Sequence, residues 1–191
     1  MTRTDIINYF VKKYEFKSYL EIGVQNLNNN FNKIEIETKI GVDPDPNVGA
    51  TFTMTSNDFF NINKIKFDII FLDGLHHAWQ LYDDVINSLK ILNKDGIIVC
   101  HDMNPLTLNS QIVPRETNAR IWNGDCWMAW IWLRKLKNLE MTVLDTDHGC
   151  GVIRIRNEKP LDINHNITYQ NFEIHKKEWM NLQDKEHLYK M

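Results

Sequence analysis

"FDIIFLDGLHHAWQLYDDVINSLKILNKDGIIVCHD" (67–102) begins and ends on a short apolar run, with an amphipathic stretch between them. The first run, "FDIIFLDG" (67–74), holds Ile69, Ile70, Phe71 and Leu72 without a polar break, the pattern of a strand covered on both faces. Through "AWQLYDDVINSLKIL" (78–92), Leu81, Val85, Leu89 and Leu92 fall on one helical stripe. "DGIIVCHD" (95–102) then returns to the strand pattern. A strand, a helix and a strand at this spacing predict parallel pairing through a crossover, hence an α/β, doubly wound, mostly parallel sheet with helices on both faces.

The flanking sequence extends the same alternation. Residues 4–13 place Ile6, Ile7, Tyr9, Phe10 and Val11 on a helical stripe that Thr4 is positioned to cap. "SYLEIGV" (18–24) and "KIGVDPDP" (39–46) read as the first two strands, the second stopped by its prolines, and "ATFTMTS" (50–56) alternates as a third. After the central unit, "GDCWMAWIWLRKLKNL" (124–139) reads as a helix with Asp125 near its start. "EMTVLDTDHGCGVIRIR" (140–156) reads as two strands around a glycine-containing turn, an antiparallel C-terminal hairpin at the sheet edge. One domain over 1–156 is expected, followed by an extension, 157–191. There Phe172, Trp179 and Leu182 lie on a loosely amphipathic helix that would dock on the domain or on a partner.

Composition narrows the functional classes. With 22 basic against 25 acidic side chains, the formal net charge is -3, and no basic run exceeds two residues, so a nucleic-acid partner is not expected. No apolar run approaches the ~20 residues of a membrane helix, and "MTRTDIINYFVKKYEF" lacks the core of a secretory signal, which points to a cytoplasmic protein without a membrane partner. Cys100, Cys126 and Cys150 are odd in number and widely spaced, as expected of buried free thiols rather than a disulfide or thiolate framework.

Sheets of this kind bind ligands beyond the carboxyl ends of their strands. Polar residues collect there: Glu21 and Gly23 after the first strand, Asp43 after the second, and Ser56 to Asp58 after the third. Asp73 and His76 follow the fourth, His101 and Asp102 the fifth.

"YLEIGV", "IGVDPDP", "DIIFLDGLHH" and "GIIVCHDMNP", in that order over roughly residues 18–105, resemble a class I S-adenosylmethionine-dependent methyltransferase, a Rossmann-like fold. Within that class the Asp-Gly-x-His stretch and the later His-Asp are similar to the metal-dependent sugar and small-molecule O-methyltransferases. The resemblance implies S-adenosyl-L-methionine as cofactor, with Glu21, Gly23 and Val24 at its methionine end, Asp43 on the ribose hydroxyls, Asn57 and Asp58 near the adenine, and Asp73 also in contact. The sequence departs from the class in one respect: "EIGVQNLNNN" offers a single glycine in place of a GxGxG loop.

Neighbouring parallel strands lie ~4.8 Å apart, so Asp73 and Asp102 can converge on one divalent cation, magnesium or a similar hard ion. His101, beside Asp102, would add an imidazole ligand that favours manganese. His76, three residues beyond Asp73, is the candidate general base, with His77 directed elsewhere. The expected reaction is O-methylation of a small polar acceptor such as a sugar or glycan precursor.

Other readings stay open on the residues alone. Asp102 can serve as a turn residue and His101 as a structural one. A nicotinamide-dependent oxidoreductase would use Asp43 but would want the missing glycine loop. A metal hydrolase would leave Glu21 and Asp43 idle, and a catalytically silent accessory subunit would retain the fold without the chemistry. A homo-oligomer, or a site completed by another subunit, is compatible with the small size of the chain.

Overall fold

The computed structural model describes residues 1–116 and 120–191. In chain order its elements are α1 (Arg3–Tyr14), β1 (Ser18–Ile22), β2 (Thr38–Asp43), β3 (Phe52–Thr53), α2 (Ser56–Ile62), β4 (Phe67–Leu72), α3 (Ala78–Ile91) and β5 (Leu92–Cys100). There follow α4 (Cys126–Leu133), β6 (Leu139–Leu144), β7 (Cys150–Ile155), α5 (Tyr169–Trp179) and β8 (Leu182–Gln183). These strands form one sheet in the order β3-β2-β1-β4-β5-β7-β6-β8. The first five in that order run parallel, β7 is antiparallel to both β5 and β6, and β8 lies parallel to β6. The doubly wound sheet with an antiparallel hairpin is therefore present.

Strand alternation divides the core into two layers. Leu20, Ile22, Ile70, Leu72, Ile98 and Cys100 pack with α2, α3, α4 and α5 through Phe59, Val85, Trp130 and Phe172. The intervening residues, Tyr19, Ile69, Phe71, Ile97 and Val99, pack with Ile6, Ile7 and Phe10 of α1 and with Leu188 from the C-terminal 3-10 turn. The uninterrupted apolar runs of the central strands follow from this burial on both sides.

Several boundaries differ from the sequence expectation. The alternating stretch 50–56 contributes only a two-residue strand, because Thr55 caps α2: its Oγ1 accepts from the Asp58 amide at 3.2 Å. Thr2, not Thr4, caps α1, through a reciprocal box with Asp5, while the Thr4 hydroxyl donates to Asn30 Oδ1. The helix expected over 124–139 is confined to α4, and β5 starts three residues early, beyond a register irregularity against β4. At Asn181 the backbone turns left-handed and ends the C-terminal helix, so Leu182 lies in a strand paired with Val143.

Phe172 and Trp179 are buried against the domain, with the Phe172 ring 4.6 Å from that of Trp127. Between β1 and β2 the chain forms a single 3-10 turn, Phe31–Lys33, where such folds usually place a full helix. No glycine-rich turn into a helix is needed at that point. Among the described residues no helix is long and apolar enough to cross a membrane.

Candidate active site

The strand order reverses between β1 and β4, which places the switch-point crevice at their carboxyl ends. Ladder bonds continue past the strands: the Gly23 amide donates to Val42 O, the Asp73 amide to Ile22 O and the His101 amide to Leu72 O, at 2.9 to 3.0 Å. Asp73, His101 and Asp102 are thus fixed by the sheet itself. Gly23 has φ +84°, and a Cβ there would stand 2.3 Å from Asp73 O. Its bare backbone makes room for the β4 turn.

Asp73 is the hub of a charge cluster. Its Oδ2 accepts from Arg3 Nη1 at 2.7 Å, while Oδ1 lies 3.3 Å from His76 Nε2 and 3.3 Å from His101 Nδ1. Asp102 Oδ2 faces the same two histidines, 3.3 Å from His76 Nδ1 and 3.2 Å from His101 Nδ1, and its Oδ1 accepts from Asn123 Nδ2. Asp147, from the β6–β7 turn, receives the Arg3 amide and Nε on Oδ2.

Burial would push the Asp73 carboxyl up, but the charge and hydrogen bonding of His101 and then His76 outweigh it and hold Asp73 far below the carboxylate range. Burial likewise opposes charging of His76 and His101. The bond of His76 to Asp73 with the charges of Asp102 and Asp73, and for His101 the charge of Asp73 with the bond to Asp102 and the nearby Asp147 carboxylate, leave both imidazoles raised.

The geometry of His76 selects a tautomer. Its Nδ1 lies 3.2 Å from the Trp122 carbonyl, which can only accept, so Nδ1 carries hydrogen and Nε2 is the nitrogen able to take up a proton. The Trp122 indole stacks on the imidazole at 5.0 Å and 18°. Gly124, at φ +64°, lets that segment close on the His76 backbone: a Cβ there would lie 1.8 Å from His76 O. Asp125 does not cap its own helix; its Oδ1 accepts from the Ala78 amide at the start of α3. His77 occupies the N-cap position of α3 and lies edge-on to Trp79.

Three donor atoms of Asp73, His76 and Asp102 lie within 4.8 Å of one another, a set able to hold a cation. It differs from the expected set of Asp73, His101 and Asp102. His101 Nδ1 approaches both carboxylates but also Arg3 Nη1, at 3.2 Å. A second group with the same mutual reach comprises His101, Asp147 and Cys150.

The residues expected around a cofactor have partners within the fold. Asp43 ends β2 with Oδ2 accepting from the Gln25 amide at 2.7 Å and Oδ1 from the Asp45 amide at 2.9 Å. Glu21 is 1% exposed, and its carboxylate is turned to the Tyr19 hydroxyl at 2.5 Å and Asn30 Nδ2 at 3.0 Å. Burial pushes Glu21 up to about 7, against the lowering effect of those bonds. Val24 belongs to the apolar core beside Gly41. Asn57 and Asp58 are exposed on the first turn of α2, engaged with Gln80 and Thr55.

Asp147 reaches the cluster from the turn "DTDHGCG", which the sequence offers as a hairpin turn able to reach the pocket, while Arg3 and Asn123 reach it without having stood out in the sequence. Arg3 carried one signal: it is a cation in the first turn of a helix, where the macrodipole disfavours positive charge, and such a placement calls for an acidic partner elsewhere.

The switch-point fold and the sequence over its core are similar to those of class I S-adenosylmethionine-dependent methyltransferases. Residues 20–103 match the Methyltransf_24 family, described as a methyltransferase domain. Among solved structures the chain is similar to a putative caffeoyl-CoA O-methyltransferase from Staphylococcus aureus, with TM-score 0.59 and 17% identity over 81% of this chain and 82% of that one. It is also similar to the O-methyltransferase TomG from Streptomyces achromogenes, involved in tomaymycin synthesis and solved with S-adenosylmethionine (TM-score 0.60, 10% identity, 81% and 80% covered). The S-adenosylhomocysteine-bound methyltransferase PaMTH1 from Podospora anserina gives TM-score 0.58 at 17% identity, with 79% and 76% covered. No curated protein matches the sequence.

Proposed function

We propose that this protein is an S-adenosylmethionine-dependent methyltransferase that transfers the methyl group to a hydroxyl of a small polar acceptor, such as a sugar or glycan precursor, with His76 as general base. The observation that carries this reading is the orientation of His76, whose Nδ1 hydrogen is held by the Trp122 carbonyl and whose Nε2 is left beside Asp73.

The residues at the strand ends suit S-adenosylmethionine. After its two backbone bonds the Asp43 carboxylate retains acceptor capacity for the vicinal hydroxyls of a ribose. Asn57 and Asp58 would flank the adenine, and the backbone around Gly23, with Asp73, the methionine end. Glu21 and Val24 support this surface from beneath, since both are buried.

When bound, the cofactor supplies an electrophilic methyl group on a sulfonium. As the acceptor oxygen takes up that methyl group, the hydroxyl proton would pass to His76 Nε2. Asp73 and Asp102 flank the resulting imidazolium and stabilise it, while Arg3 and His101 hold Asp73 in place. A positioned base of this kind contributes typically ~10²- to 10⁴-fold.

Divalent-metal assistance is a second reading, favoured by the mutual reach of the Asp73, His76 and Asp102 donors. The mixed carboxylate and imidazole set suits manganese better than magnesium. A cation there would stabilise the acceptor alkoxide as a Lewis acid, and His76 would become a ligand instead of the base.

A labelled-methyl transfer screen beginning with free and nucleotide-linked sugars, run with manganese and with a chelator, tests both readings. Transfer that persists in chelator and is lost in His76→Gln, with cofactor binding intact, supports the base. Transfer lost in chelator supports the cation. Transfer to amines alone would overturn O-methylation.

A further inference from the structure

We propose that His101, Asp147 and Cys150 form a second metal site, of the zinc class, set back to back with the candidate active site. It uses the other nitrogen of His101 and shares no donor atom with the Asp73, His76 and Asp102 set.

The first observation is an unmet donor. His101 is 4% exposed, and its buried Nε2 has no hydrogen-bond partner among the described residues. It points to Asp147 Oδ1 at 3.7 Å, too long for a hydrogen bond. That separation is the one expected of two ligands on a shared ion: tetrahedral zinc, with bonds of ~2.0–2.3 Å, sets neighbouring donor atoms roughly 3.3–3.7 Å apart. Cys150 Sγ completes a group of three donors within 4.8 Å of one another. Its thiol is free and buried, and its one hydrogen-bond contact among the described residues is a 4.0 Å approach to Asp147 O.

The surroundings of the three donors are those of metal ligands. A metal-bound imidazole usually donates its other N–H to a carboxylate, and His101 Nδ1 lies between Asp102 Oδ2 at 3.2 Å and Asp73 Oδ1 at 3.3 Å. Arg3 Nη1, close to the same nitrogen, makes its short bond to Asp73 Oδ2 at 2.7 Å. Asp147 is oriented in turn, with Oδ2 held by the Arg3 amide at 2.7 Å, which leaves Oδ1 for the site.

The donor chemistry selects the ion. One thiolate, one imidazole and one carboxylate suit zinc and disfavour magnesium, which prefers oxygen donors throughout. Coordination requires the thiolate and the neutral imidazole, so one divalent ion replaces two protons and the charge of the cluster is conserved. Three protein donors leave a fourth position for water. Metal on Nε2 would also fix hydrogen on Nδ1, so that His101 holds both active-site carboxylates in one tautomer.

Cobalt(II) titration of chelator-treated full-length protein tests the proposal, because a cobalt–thiolate bond gives a charge-transfer absorption that oxygen and nitrogen ligands do not. One equivalent should bind with that band, zinc should displace it, and excess magnesium should not. Cys150→Ser should remove the band, whereas Cys126→Ser should keep it. Asp147→Asn, on the partly exposed turn, should weaken cobalt affinity about tenfold or more, and carries the test should the cysteine variant fail to fold. A band that survives in Cys150→Ser, or cobalt uptake without any thiolate band, would overturn the site. So would unchanged affinity in Asp147→Asn. None of these readouts depends on methyl transfer, so the metal site and the catalytic reading stand or fall separately.

Discussion

Arg3 Nη1 rests 2.7 Å from Asp73 Oδ2, joining the first turn of the first helix to the end of the fourth strand across seventy residues of sequence. The same side chain reaches Asp147 through Nε at 3.3 Å, so one guanidinium ties the helix to two separate parts of the sheet edge. Its position against the helix dipole is offset by those two carboxylates.

Arg3→Ala should therefore lower stability by about 1.5–3 kcal/mol, the usual range for hydrogen bonds to charged groups. Arg3→Lys should recover only part of that, since an ammonium cannot span two carboxylates as a planar fork does. Urea midpoints for the two variants measure the difference, and midpoints equal to the parent's would show that the bridge adds nothing.

His76 must be neutral to accept a proton, and its pKa is raised above 6.5: burial opposes the charge, but the bond to Asp73, the charges of Asp102 and Asp73 and the Trp122 carbonyl together outweigh it. Turnover should rise with pH through a midpoint above 6.5. His76→Gln should reduce it roughly 10²- to 10⁴-fold with little change in cofactor affinity. A flat profile, or near-parental turnover in the variant, removes His76 from the role.

Glu21 titrates at about 7 in the folded protein against an ordinary value of 4.5. Between those two values the folded state holds a proton that the unfolded state has released. Its contribution is thus fully present below 4.5 and lost as pH rises through about 7. The loss is on the order of 3 kcal/mol at alkaline pH. Glu21→Gln keeps an acceptor for Tyr19 and Asn30 and should be the more stable protein at pH ~8 but not at pH ~4. Parallel stability curves for the two proteins would contradict the shift.

Gly124→Ala places a methyl group against the His76 carbonyl at a left-handed backbone position. A cost of about 2 kcal/mol or more is expected, together with a fall in turnover larger than any change in cofactor binding. Calorimetric melting and single-turnover assays separate the two effects; an unperturbed melt would mean that the segment shifts freely.

The central strands and the acidic and histidine residues at their ends were legible because both signals are local. Ile69 to Leu72 and Ile97 to Cys100 are uninterrupted apolar runs, and Asp73, His101 and Asp102 are the next residues along. What the sequence concealed was tertiary or competed with a local rule. Residues 50–56 satisfy strand alternation, yet Thr55 and Asp58 satisfy a helix cap equally well, and the cap prevailed. Glu21 occupies its expected place along the chain but faces Tyr19 and Asn30, because strand alternation directs it into the layer beneath α1. Asp147 comes from a hairpin turn whose backbone is left-handed at three successive residues, 147–149, a conformation composition alone does not reveal.

The single 3-10 turn between the first two strands carries a further implication, for the time course of amide exchange. A segment with few main-chain bonds opens at lower free energy than the strands on either side of it. Residues 25–37 should take up deuterium well before β1 and β2, and the Gln25 amide, held by Asp43, should be the slowest among them. On the proposed function, saturating S-adenosylmethionine should then slow uptake across this whole stretch, which makes it the natural reporter of cofactor loading.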